Sequence, residues 1–278
     1  MASLKRTLDK FYREYPFKDR VLHDPISFPR RYTHSRDIEI SGFIASCLAY
    51  GRVELFTPVI EKILSLMGAH PHVFVMDFNV RKHRGKFTFK YRFNEQEDIL
   101  CLVLILCELL RRYSSLENAF MRYYNSRDPH TGWGISGLVR EILSIDTTRV
   151  YGSNIHPRGL AQLFPSPAKG SACKRMNLFL RWMVRDRDID LGVWKAVPMS
   201  KLVIPLDTHI TRISQCLGFT SRASADWKTA LEITEALREF DSEDPLRYDF
   251  ALCHHGISGI CSAQRGAGCR ECAFHGVK

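Results

Sequence analysis

The chain has 278 residues and a mass of 32.1 kDa, enough to bury a substantial core without disulfide or metal staples, which excludes a mini-protein. Hydrophobic residues make up 45% and charged residues 25%, ordinary globular values that exclude a largely disordered or collagen-like chain. Forty Lys plus Arg against thirty Asp plus Glu give a net charge of +10 and a pI near 9.2. A field of that sign attracts polyanions, so nucleic acid is the first partner to consider.

The opening stretch MASLKRTLDKFYREYPFKDR is charged and lacks the apolar core of a signal peptide. Asp37 opens an amphipathic run through Ile40, Phe43, Ile44, Cys47 and Leu48; after a break at Tyr50 and Gly51 a second run goes from Val53 through Ile60, Ile63 and Leu64. Together they predict two antiparallel helices joined by a short turn. Segment 81–92 carries Arg81, Lys82, Arg84, Lys86, Lys90 and Arg92 with no acid, interleaved with Phe87, Phe89 and Tyr91. Residues 86–93 alternate like a strand or an extended connector. That mixture suits either phosphate contacts with base stacking or a solvated face whose aromatics enter the core. The longest apolar run, 99–110, is interrupted by Glu108, so no membrane span is expected and the protein should be soluble and cytoplasmic. Further helices are predicted over 95–112, 116–125, 135–143, 173–184, 207–216, 227–239 and 245–254. The fold class that follows is all-α.

Two residues in these helices carry chemistry. KGSACKRMNLFLRWMVR begins with small residues and turns apolar at Met176, Leu178, Phe179, Trp182 and Met183. With Ser171 as N-cap, Lys174 falls in the first turn of a mostly buried helix. Lost hydration, nearby unsatisfied N–H groups and Arg175 are each expected to lower its pKa, and a lysine nucleophile needs a neutral amine. Downstream, IPLDTHITRISQCLGF places Pro205 before Asp207, which should cap a helix whose core face holds Ile210, Ile213 and Leu217. A carboxylate there is stabilised as an anion yet can face a cleft. Taken singly, a capping Asp and a first-turn Lys are ordinary structural and surface features.

Together they form a pattern. PLDTHITRISQCLG resembles the P-V-D-T-H-V-x-R-x-x-x-R-L-G stretch of the helix-hairpin-helix DNA glycosylases, the superfamily of endonuclease III and 8-oxoguanine glycosylase, in which the Asp is the essential carboxylate. The segment ending at Lys174 stands where that superfamily has its hairpin and catalytic lysine. FPSPAKGSACK replaces the L-P-G-V-G-x-K-T-A hairpin, however, and an insert around 186–198 lengthens the path from Lys174 to Asp207. The archaeal 8-oxoguanine glycosylases share that long separation and are the nearest mechanistic analogue. Residues 37–50 look like the family's early helix, with Tyr50, Gly51 and Arg52 in place of its Gln-rich turn. His255 and Gly256, followed by Cys261, Cys269 and Cys272, are similar to the endonuclease III tail. Taken whole, the sequence also looks like an uncharacterised bacterial family catalogued only as a domain of unknown function.

The resemblance implies one compact unit of two helical lobes sharing a cleft, with 37–218 as the lobe of the Lys/Asp site, 1–36 and 219–278 as the other, and a Cys-rich loop over 253–272. It implies a monomer that flips a damaged or mispaired base such as 8-oxoguanine out of duplex DNA and excises it. Lys174 would attack the sugar and Asp207 would stabilise its positive charge, with AP-lyase strand cleavage as a second activity. Tyr50, Arg52, Lys169, Arg175, His209 and Arg212 are the candidate DNA contacts. The spacing Cys253-x7-Cys261-x7-Cys269-x2-Cys272 offers four thiolates for a [4Fe–4S] cluster or a four-cysteine zinc site, or a set of free thiols. The alternative to an enzyme is a non-catalytic DNA- or RNA-binding protein on the same helical scaffold.

Overall fold

A computed structural model describes residues 2–258, 269 and 272–276, and all regular structure among them is helical. In chain order the α-helices are α1 (Ala2–Glu14), α2 (Phe17–Val21), α3 (Ser35–Leu48), α4 (Val53–Met67), α5 (Pro71–Met76), α6 (Val80–His83), α7 (Gln96–Tyr113) and α8 (Leu116–Met121). There follow α9 (Gly132–Ile142), α10 (Thr148–Tyr151), α11 (Arg158–Ala161), α12 (Lys174–Val184), α13 (Thr208–Leu217), α14 (Trp227–Arg238) and α15 (Asp249–Ile257). The all-α class read from periodicity holds. Residues 86–93 are not a strand: a 3-10 turn, Arg84–Lys86, leads into a connector closed by paired backbone bonds between Tyr91 and Asn94. Phe87 and Tyr91 are buried there while Arg81, Lys86, Lys90 and Arg92 stay exposed, so the aromatics serve the core. Helix α1 has an apolar stripe at Leu4, Leu8 and Phe11, continued just past its end by Tyr15, a helical spacing that the charge of the segment masks.

Two helices, α3 and α7, are buried on nearly every face. For α7 this follows from ILCLVLILCELL, a sequence without a polar side until its end. Helix α3 carries acids into the interior and uses them as caps. The Asp37 carboxylate accepts the His72 N–H at the start of α5 (2.8 Å). Glu39 accepts the Leu116 and Glu117 N–H groups at the start of α8 (3.0 and 2.9 Å) and the Trp194 indole N–H (2.9 Å). Helix N-termini expose unpaired donors, so a buried carboxylate is tolerated where two or three of them converge on it.

Helix α12 packs on α3 at Gly42, where a Cβ would stand 3.0 Å from the flexible tip of Met183. Helix α15 packs on α13 at Gly256, where a Cβ would meet Cβ and Cα of His209 at 2.8 and 3.4 Å. That approach brings one end of α15 against the start of α13. The N-terminal α1 packs on C-terminal segments: Phe11 contacts the His255 and Phe274 rings, and Tyr248 donates to Asp9 (2.6 Å). The buried apolar side chains form one continuous cluster. Among the described residues no helix is long and apolar enough to cross a membrane.

Candidate active site

Lys174 and Arg181 on α12 and Arg185 at its C-terminal cap stand seven and four positions apart, which puts them in a row along one side of the helix. The helix begins at Lys174 itself. Its cap residue is Cys173, in the left-handed region at φ 51°, and not Ser171. The Ser171 hydroxyl instead accepts the Cys173 N–H (3.2 Å) in the turn that precedes the helix.

Asp207 caps α13 as its sequence predicts. One carboxylate oxygen accepts the N–H groups of His209 and Ile210, both at 2.9 Å. The other receives the Lys174 ammonium at 2.9 Å, and the Cys253 thiol lies 3.8 Å from that same oxygen. Two residues thirty-three positions apart thus meet as an ion pair, with Lys174 still partly exposed and Asp207 nearly covered. Burial pushes the Asp207 carboxyl up, but the Lys174 charge and the Ile210 N–H outweigh it, and the group ends below the usual carboxylate range. For Lys174 the expectation of a lowered pKa is overturned. Burial does pull it down, but the Asp207 carboxylate, with smaller contributions from Cys253 and Asp24, raises it above its ordinary value. The amine therefore rests as an ammonium ion.

The pair opens onto a cleft of about 340 Å³, within the size range of small-molecule and base-sized sites. Its walls come from the residues before the 3-10 turn Pro25–Ser27, the α3–α4 turn, and α12, α13 and α15. A second ionisable pair lines it: the His254 imidazole Nε2 lies 3.2 Å from the Asp24 carboxylate. The other Asp24 oxygen accepts the Ile26 N–H (2.9 Å), and His254 packs on the Phe250 ring at 4.2 Å between centroids. Farther down the α12 row the charges are buried, although Arg181 and Asp249 still line the cleft. Arg181 bonds Asp249 (2.5 Å) and Asp190 (3.2 Å), and Arg185 bonds Asp190, Asp244 and Asp188 at 2.8–2.9 Å. Burial alone would lower both guanidinium pKa values, but the surrounding aspartates raise them.

The other candidate contacts fall into two groups. Arg52, at the start of α4, and His209 line the cleft, with the His209 Nδ1 buried and without a partner among the described residues. Arg212 is half-buried farther along α13. Tyr50 and Arg175 turn inward: Tyr50 donates to Asn94 (2.6 Å) and accepts from Gln162 (3.2 Å), and Arg175 donates to the Cys47 and Gln162 carbonyls while lying over the Tyr50 ring at 5.2 Å. Their polar groups hold the α3–α4 turn to α12. Lys169 is exposed beside a separate hollow of about 660 Å³, together with Trp133 and Arg140.

Burial, and to a lesser degree the neighbouring Cys216 and Cys269, push the Cys272 thiol above its usual value. Cys253 faces Asp207, Cys272 lies 3.3 Å from the His255 Nε2, and among the described residues no group of three or more His, Cys, Asp or Glu could hold a metal ion. Cys261 lies outside the described residues. Desolvation together with the Asp207 charge pushes the half-buried Cys253 thiol well above its usual value. The described residues do not include the whole cysteine segment, and no step is assigned to a cluster.

Comparison with known proteins adds a family. A family model described as Protein of unknown function (DUF2400) matches residues 24–258. The chain belongs to that family. The span shared with DUF2400 contains Asp24, Lys174, Asp207 and His254, and it ends before Cys261, Cys269 and Cys272. No curated protein and no solved structure matches the chain.

Sequence reasoning missed Asp24, His254 and Asp249, since partners up to 230 positions apart leave no local signal. The paired arginines in the apolar stretch of α12 were the one available hint, because a charge inside a buried helix demands a counter-charge.

Proposed function

We propose that the protein is a DNA glycosylase that excises a damaged base, such as 8-oxoguanine, from duplex DNA, with Lys174 as nucleophile and Asp207 as the carboxylate. The observation that carries this reading is the 2.9 Å contact between Lys174 and Asp207 at the wall of a cleft of about 340 Å³. In this reading 37–218 form one lobe and 1–36 with 219–278 the other. The packing of α1 on the C-terminal segments supports that division, as does a cleft drawing Lys174 and Asp207 from one set and Asp24 and His254 from the other. The net charge of +10 holds the polyanion.

The base, turned out of the stack, enters the cleft. As the C1′–N bond breaks, positive charge develops on the sugar and the Asp207 anion stabilises it. Lys174, once it has lost a proton, forms a bond from Nζ to C1′, and opening of the sugar ring leaves a Schiff base that can proceed to strand cleavage. The resting ammonium makes that proton loss a required step. Borohydride treatment of the protein with duplex carrying 8-oxoguanine or an abasic site tests the reading. Wild type should form a covalent adduct and Lys174→Gln none; base release by wild type with no adduct would remove the lysine mechanism. A non-catalytic binder would keep its DNA affinity in both Lys174→Gln and Asp207→Asn and release no base in any form.

A further inference from the structure

We propose that the hollow between α9 and the 3-10 turn Pro167–Lys169 binds an unpaired stretch of DNA, with one base stacked on Trp133 and the flanking phosphates held by Arg140 and Lys169. The inference goes beyond the excision reading, because it needs strand binding and no chemistry. Its starting point is the one tryptophan that the core does not absorb. Of the four in the chain, Trp182, Trp194 and Trp227 are 0%, 2% and 9% exposed, whereas Trp133 is 64% exposed and stands at the edge of the hollow. Trp133, Gly137 and Arg140 follow one another at four and three positions, which puts them on one face of α9. Tyr123 lies beneath that face. At Gly137 an added Cβ would stand 2.2 Å from the Tyr123 Cβ, so the missing side chain is what lets Tyr123 approach the helix backbone. The Arg140 guanidinium lies over the Tyr123 ring at 5.4 Å, which positions the cation before any ligand arrives.

Charge selects the occupant. Among the described residues no carboxylate lines the hollow, and neither Arg140 nor Lys169 has an ion pair. Glu141, next to Arg140 in sequence, is already taken by the Tyr123 hydroxyl (2.8 Å) and by Arg112 (2.9 Å). Two uncompensated cations beside an exposed indole match a single strand, in which phosphates alternate with flat bases that stack on aromatic rings. A duplex keeps those base faces inside its own stack. The space, about 660 Å³, is of a size that admits a nucleotide. The position favours DNA that also occupies the cleft: Lys169 and Lys174 are five positions apart, so their backbones lie within about 18 Å of each other. That is the length of about five nucleotides at the spacing of a stacked strand.

The test titrates the full-length protein with a short oligodeoxythymidylate and follows tryptophan fluorescence, which reports Trp133 because the other three indoles are buried. The expected result is saturable quenching that weakens with added salt. Trp133→Ala should bind the labelled oligonucleotide roughly 5–150-fold more weakly by anisotropy, the range for losing one base-stacking ring. Trp133→Phe keeps a ring and should keep most of the affinity. Arg140→Gln and Lys169→Gln should each lower the slope of log affinity against log salt by about 0.7, the share of one single-strand phosphate. Absence of quenching at low salt, or undiminished affinity in Trp133→Ala, overturns the inference. Equal quenching by a fully paired blunt duplex, or tighter binding of the matching oligouridylate, also overturns it by naming a different occupant. Quenching in a protein that releases no base from any damaged duplex keeps this inference and removes the excision reading; base release without quenching does the reverse.

Discussion

Helix α12 and its C-terminal cap carry three cations in two different settings. At its lower end Arg181 and Arg185 are 3% and 2% exposed and meet Asp188, Asp190, Asp244 and Asp249. At its first turn Lys174 is 38% exposed and meets Asp207 alone, beside a cleft. Desolvating a guanidinium costs several kcal/mol, so the buried arginines are tolerable only with carboxylates on several sides, and that arrangement has no reason to open. The exposed pair has a single strong contact, solvent on one flank, and room for another molecule to come between its members. The same helix therefore carries a buried structural network and, at its start, a more open pair; burial and the number of partners separate the two, since Arg181 and Asp249 reach the cleft wall as well.

Removing the open lysine should affect chemistry far more than stability. Lys174→Gln is expected to lower base release by roughly 10³-fold or more, on the scale of losing a catalytic group, with a melting temperature close to wild type; quench-flow and calorimetry on one preparation read both. The buried end should behave in the opposite way. Arg185→Met leaves Asp244 buried without its partner and Asp190 with Arg181 alone, and is expected to cost about 3–5 kcal/mol of stability, seen as a shift of the urea midpoint. Equal melting points for Arg185→Met and wild type would erase that contrast. A smaller change separates the cleft from both: Gly256→Ala forces a Cβ to within 2.8 Å of His209 and should cost about 1–3 kcal/mol by overpacking. It should also slow base release, because α15 carries His254 and Cys253.

The smallest expected effect is the pH dependence of the open pair. The Asp207 carboxyl lies below its ordinary 3.8 and the Lys174 ammonium above its ordinary 10.5. The stabilisation from Asp207 is therefore complete above pH 3.8 and is lost as the pH falls through the depressed folded value. That from Lys174 is complete below 10.5 and is lost as the pH rises through the raised folded value. Because Lys174 is partly solvated, the pair should contribute less than about 1 kcal/mol. Asp207→Asn keeps an oxygen for the His209 and Ile210 N–H groups, so the stability gap between it and wild type isolates the charge. Urea titrations should show that gap closing on the acid side and level through neutral pH.

Parts of the site are legible in the chain alone. Asp207 as a cap can be read from Pro205 and the apolar spacing that follows, because capping depends on a few adjacent residues. Lys174 in a first turn can be read for the same reason. Its protonation state cannot, since local terms alone point to a neutral amine and the deciding term is a carboxylate from another helix. Tyr50 and Arg175 carry the residue types of a DNA-contacting turn, yet the fold spends them on each other and on Asn94, Gln162 and Cys47. The alternating aromatics at Phe87 and Tyr91 fit a stacking strip in sequence and fill the core in space.

The sequence by itself determined the longer helices from α3 onward, the all-α class, the positive charge and the local placing of Lys174 and Asp207, all of which depend on composition or on residues within a turn or two of one another. Tertiary structure decided which charges meet: that Lys174 is paired, that Arg181 and Arg185 are buried among aspartates, that Cys253 faces Asp207, and that Asp24 reaches His254 across 230 positions. The physical reason is that electrostatic interaction and desolvation depend on distance in space and on access to water, and neither is a local property of the chain.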